Sequence, residues 1–230
     1  MPWERLETEQ DVFMLQHRAP VFIGAAVLAA LAGYINVVML GFFAVPVSHM
    51  SGAVAHLGID IMSGNTADLL PIGSILIGFW LGAFSAGLLI SHVSLRLSKS
   101  YVSALALEAL LLCLAAVFAL NDISYAVALA AAACGLQNAM AGSFRGLTIR
   151  TTHVTGVVTD LGALLGSRLR GRKVKTWKLL LLLIILLAFF TGGILGAFAV
   201  YAAGLVVLLP AAVVAALLAV IAGFIPGKEK

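Results

Sequence analysis

Six long apolar runs separated by short polar stretches dominate this chain. They fall at roughly 20–43, 67–91, 100–120, 123–143, 177–200 and 203–225. Each is close to the ~20 residues that an α-helix needs to cross the hydrocarbon of a bilayer. Two shorter segments, near 45–65 and 148–167, break the pattern with small and polar residues. In the first these are Ser48, Ser51, Gly52, Ala55 and His56; in the second, Thr152, Thr155, Gly156, Thr159 and Asp160. The spacing i, i+3, i+4, i+7, i+8 puts each set on one helical face. The other face of the second segment is apolar, through Val154, Val157, Val158, Leu161 and Leu165. The pattern predicts six spanning helices and two short helices with hydroxyl-rich faces.

The two short segments are copies of each other. Ser48 to Gly58 matches Thr152 to Gly162 position by position: hydroxyl, His, apolar, hydroxyl, Gly, and later Leu-Gly. The match extends outward. Gly33-Tyr-Ile-Asn36 corresponds to Gly135-Leu-Gln-Asn138, and Leu81-Gly-Ala-Phe84 to Leu195-Gly-Ala-Phe198. The offset between halves grows from 102 to 104 to 114 residues, the last step being absorbed by the basic loop at 168–177. Three spans per half is an odd number of crossings, so the second half must run antiparallel to the first. The expected fold is therefore an all-α polytopic membrane protein, a single transmembrane domain over 1–230. Its six transmembrane helices form two inverted three-helix repeats, 20–120 and 123–225, behind a tail at 1–19. Each repeat carries one re-entrant or interfacial motif helix, as in carriers built on inverted repeats.

Composition agrees. The chain is 62% hydrophobic and 10% charged over 230 residues, against about 25% charged in soluble domains. Its mean hydropathy is +1.11. The net charge of +4 follows topology. With the N-terminus inside, all fourteen Lys and Arg fall on the cytoplasmic side, from Arg5 and Arg18 through Arg96, Lys99, Arg145 and Arg150 to the 168–178 run and Lys228 and Lys230. That is the positive-inside arrangement. Basic residues without interleaved aromatics give no sign of nucleic-acid binding. The tail has four acids, Glu4, Glu7, Glu9 and Asp11, and no cleavage pattern, so it does not read as a signal peptide.

Several polar residues sit where chemistry is costly to place. Asn36 and Asn138 occupy matching positions near the ends of spans one and four. A buried amide in lipid either bonds a neighbouring helix or lines a polar path. His49 and His153 open the two motif segments, as hydrogen-bonded structural residues or as solute contacts or proton carriers. His49, His56 and Asp60 share one outer helix. A metal needs three or four converging ligands, and no metal or other cofactor is expected. Glu108 lies mid-span, either as an acid bonded to a neighbouring helix or as a proton-relay candidate. Asp160 faces the same way as Thr152, Thr155 and Thr159. The pairs Gly78/Gly82 and Gly192/Gly196 suit close helix packing, within one chain or between the subunits of a homodimer. No phosphate-binding loop, zinc-protease motif or nucleophile elbow occurs, which argues against an enzyme and against transport driven by this chain's own ATP hydrolysis.

Gly33-Tyr-Ile-Asn36, Gly135-Leu-Gln-Asn138-Ala and Arg150-Thr-Thr-His-Val-Thr-Gly156 together resemble the YoaK family, six-span bacterial membrane proteins of unknown function. The resemblance covers nearly the whole chain and implies a bacterial plasma membrane. That family commonly has an acid at the place of Asn36, and Met-Thr-Gly-Asn where this chain has Met50-Ser-Gly-Ala53. The reading that follows from the residues is a transporter or channel for an unknown small solute, proton-coupled if Glu108 is a relay. Its polar pathway would run through Asn36, Ser48, His49, Ser51, His56, Asn138, Thr152, His153, Thr155, Thr159 and Asp160. Exposed N–H groups at the motif helices would favour an anionic or carbonyl-bearing solute. A non-transporting membrane scaffold, a signalling protein or an intramembrane enzyme is the alternative.

Overall fold

The computed structural model describes residues 2–43, 46–90, 99–120, 123–142, 150–203 and 207–224. Arg96, Arg145, Lys228 and Lys230 lie outside the described residues, as do the side chains of Arg5, Glu4, Glu7 and Glu9. The helices are α1 (Pro2–Phe43), α2 (Met50–Ser63), α3 (Leu69–Leu89), α4 (Lys99–Ala119), α5 (Ile123–Gly142), α6 (Val154–Leu169), α7 (Thr176–Ala203) and α8 (Leu208–Phe224). Each expected apolar run contains a helix among its described residues, and α2 and α6 are the two short motif helices.

Among the described residues, four helices are long and apolar enough to cross a bilayer: His17–Phe42, Leu69–Leu89, Lys99–Ala119 and Thr176–Ala202. α8 is equally apolar but only 17 residues long. α5 is alanine-rich and carries Gln137 and Asn138 in its last turns. The expected N-terminal tail is itself helical and runs into α1 through a kink at His17 (φ −124°, ψ 23°). Pro20 explains the break, because it lacks an N–H and its ring crowds the preceding turn.

Glycine decides which helices meet. α7 lies along α1: a Cβ at Gly192 would run into the carbonyl oxygen of Ala30, and one at Gly33 into that of Phe189. α3 lies along α5 in the same way, with Gly82 at the carbonyl of Ala132 and Gly135 at that of Phe79. Backbones approach this closely only where both surfaces are small. Both pairs are parallel, since Gly192 and Gly196 meet Ala30 and Tyr34 in order, and Gly78 and Gly82 meet Ala128 and Ala132. Both glycine pairs are thus used within the chain.

These contacts correct one sequence correspondence. Gly33 and Gly135 are 102 positions apart, as expected, but Phe79 matches Phe189 and Gly82 matches Gly192, 110 positions apart. The Leu-Gly-Ala-Phe match at 114 is therefore one helical turn out of step with the contacts. Small residues recur every fourth position on both helices (Gly78, Gly82, Ala86; Ala188, Gly192, Gly196). A sequence match can slide by one turn along such a stripe.

α4 packs against α8 and α5, while α2 rests on α3 and α6 on α7. The largest apolar core joins Ile35, Val38 and Met39 of α1 to Ile75, Leu112, Ala130, Cys134 and Ala215. Tyr34 ties α1 to the start of α8 by donating its hydroxyl to the Val207 carbonyl at 2.6 Å.

Candidate functional site: two asparagine-held lead-ins and a buried acid

Each short helix is preceded by a lead-in segment that an asparagine holds. Asn36 Oδ1 accepts the Ser48 amide at 3.2 Å and its hydroxyl at 2.8 Å. Asn138 Oδ1 accepts the Thr152 amide at 3.5 Å. Ser48 and Thr152 are buried in these seats. An amide already bonded to a side chain from another helix ends up outside the motif helix. That corrects the sequence picture at its edge: Ser48 and Thr152 do not share the helical face, because α2 and α6 begin only after His49 and His153.

The two histidines sit alike. Each is the residue before the first helical turn, and neither caps that turn with a side-chain hydrogen bond. Each imidazole instead lies over the glycine three positions on. A Cβ at Gly52 would stand 2.7 Å from His49 Nδ1, and one at Gly156 would be closer still to His153 Nδ1. A side chain in place of the glycine of the repeated His-x-x-Gly would require the imidazole to shift.

The second lead-in has an additional anchor. Thr151 Oγ1 donates to Gln137 Oε1 at 2.9 Å, and Gln137 Nε2 donates to Glu108 Oε1 at 3.0 Å. Thr151 and Gln137 are 1% exposed and Glu108 0%. The other carboxyl oxygen, Glu108 Oε2, is buried with no hydrogen-bond partner among the described residues. Gln137 was not singled out by the sequence reading, although an amide beside Asn138 in an alanine-rich run is itself a signal.

The remaining sequence candidates lie outward. Ser51, His56, Thr155, Thr159 and Asp160 are exposed, as are both histidines, and the Thr159 hydroxyl donates to the Thr155 carbonyl at 2.8 Å. Asp60 instead is buried and accepts from Asn65 at 3.3 Å. His49, His56 and Asp60 do not converge: among the described residues no group of three His, Cys, Asp or Glu is placed to hold a metal ion. The structure brings Asn36 to Ser48, Asn138 to Thr152, and Glu108 to Gln137 and Thr151.

A cleft of about 380 Å³ lies away from these residues, between Asp11, Met14 and Arg18 of α1 and Lys175 and Trp177 at the start of α7. Asp11 accepts from Lys175 and, at 3.1 Å, from Trp177 Nε1. Partial burial works against its charge. The hydrogen bonds from Lys175 and Trp177 and the charges of Lys175 and Lys178 outweigh that and hold the carboxyl below its ordinary range.

An all-α chain with several long apolar helices and buried polar seats between them is a helical protein of membrane type. The chain belongs to the family described as "Protein of unknown function (DUF1275)", which it matches over residues 24–221. The resemblance to YoaK, a member of that family, is thereby borne out. No curated protein and no solved structure matches the chain.

Proposed function

We propose that this protein is a small-solute transporter or channel of the plasma membrane. It has six spans and cytoplasmic termini, and is built from two inverted repeats. The observation that carries the reading is the paired seat: Asn36 on Ser48 and Asn138 on Thr152, each just before a matching helix. Equivalent seats in antiparallel halves would approach the midplane from opposite faces, where carriers with inverted repeats place their sites. The helix pairs α1/α7 and α3/α5 support the repeat, because they meet through corresponding residues. The start of each motif helix offers N–H groups and the positive helix end, which suits an anionic or carbonyl-bearing solute. Arg150, exposed beside the second lead-in, adds to that bias.

Single cysteines at Ser51 and Thr155, probed with impermeant thiol reagents in oriented vesicles, test the pathway. Labelling of position 51 from outside and 155 from inside is expected, with either reaction slowed by a transported solute. Protection of both would overturn the reading. A reporter fused after Asp122, which lies outside the described residues, should report an external location. A cytoplasmic signal there would remove the six-span topology and the inverted repeat with it.

The second reading is a membrane scaffold or signalling protein. The outward position of Thr155, Thr159 and Asp160 favours it, since an exposed polar helix face is available to a partner.

A further inference from the structure

The two lead-ins are held differently. At positions corresponding to Gln137 and Thr151, the first half has Ile35 and Val47, both buried and apolar. Among the described residues, only the α6 lead-in is therefore linked by hydrogen bonds to an ionisable group in the interior. Among the described residues Glu108 Oε1 has one donor, Gln137 Nε2, and Oε2 has none. A neutral carboxyl fits this site, with its carbonyl oxygen accepting from Gln137 and its proton on Oε2. A carboxylate does not fit, because a buried charge with a single donor is poorly compensated. α5, packed against α4, carries two titratable side chains, the buried Cys134 and the exposed Tyr125. Tyr101 lies two turns back on α4, and Tyr34 of α1 is engaged with the Val207 carbonyl. α3 and α8 carry no titratable side chain. No basic group in this set neutralises the acid.

We propose that Glu108 is a proton-binding site that latches the α6 lead-in through Gln137 and Thr151, while the α2 lead-in has no such latch. With the proton on, the chain Glu108–Gln137–Thr151 stays docked. When the proton leaves Oε2 for water, the carboxylate must be hydrated, Gln137 is drawn to it, and Thr151 is released. The α6 end then opens and the α2 end does not. The assignment of unequal ends rests on the repeat described under the proposed function; the latch itself rests on the three side chains alone.

Hydrogen–deuterium exchange of the full chain in lipid nanodiscs, from mildly acid to alkaline pH, tests this without any solute. After correction for intrinsic rates, exchange in the peptide spanning Thr151–Val157 should rise with pH. The expected change is roughly five- to tenfold, as for one net hydrogen bond. In E108Q it should stay slow at every pH, since glutamine keeps the acceptor for Gln137 and cannot lose a proton. In T151V it should be fast and pH-independent. The α2 segment around Ala53 should not respond in any of them. A flat wild-type profile, or the same profile in E108Q, overturns the latch. Should E108Q fail to assemble, the carboxylic-acid C=O band of the wild type must fade in step with the rise in exchange. Its absence overturns the proposal as well. None of these outcomes touches the thiol-labelling test, so latch and pathway can fail separately.

Discussion

Ser48 gives both its amide and its hydroxyl to the single side-chain oxygen of Asn36, at 3.2 and 2.8 Å. Its counterpart Thr152 gives Asn138 only an amide, at 3.5 Å, beyond the usual N–H···O range. The first seat is therefore the tighter of the two. Asn36→Ala should cost about 1–3 kcal/mol, because it strands buried donors, and Asn138→Ala should cost less. Thermal unfolding of the purified variants in one detergent reads the difference. Equal losses would show that the seats do not differ in strength.

Gly192→Ala and Gly82→Ala should each separate a helix pair, because the added methyl meets a backbone carbonyl that cannot move aside alone. Overpacking of that kind costs roughly 1–3 kcal/mol. Gly24 and Gly87 have nothing within 4 Å of a built Cβ, so alanine there should be neutral or slightly stabilising. Denaturation midpoints for the four variants check the contrast. A destabilised Gly24→Ala would place an unseen surface against α1.

Asp160 is exposed on α6 and joins neither the asparagine seats nor the Glu108 chain. Asp160→Asn should leave folding and membrane level unchanged while abolishing solute movement, if its face lines the pathway. Expression level, melting temperature and uptake in the same vesicles separate the possibilities. Full uptake by the asparagine variant would leave the scaffold reading ahead.

Asp11 is held below its ordinary value of 3.8 by Lys175, Trp177 and Lys178 despite partial burial. A lowered carboxylate contributes stability that is complete above its unfolded value and lost as pH falls through the folded one. The contact between the start of α1 and the start of α7 should therefore loosen only below about pH 4. The partners are about one-third exposed, so the effect is small and weakens with salt. Exchange rates of amides 8–16 follow it. Asp11→Asn should be faster at neutral pH and lack the acid transition; an unchanged profile would show that the pair does no holding.

Hydrophobic runs, polar breaks and the repeated Ser/Thr-His-x-Ser/Thr-Gly pattern determined by themselves that this chain is helical, membrane-type and carries two short matching helices. Those properties depend on segment length and transfer energy, which are local to each stretch. The asparagines were legible for the same reason, as polar groups expensive to leave unpaired in an apolar run. Tertiary structure alone decided what each one bonds. Asn36 and Ser48 are 12 residues apart, and Gln137 and Glu108 are 29, so nothing in the spacing announces the contact. The register of α3 against α7 was likewise hidden, because a stripe of small residues every fourth position matches itself after a one-turn slip. Only the carbonyls of Ala30 and Ala132, seated against Gly192 and Gly82, choose between those registers. Van der Waals contact distinguishes one turn from the next, and residue type alone does not.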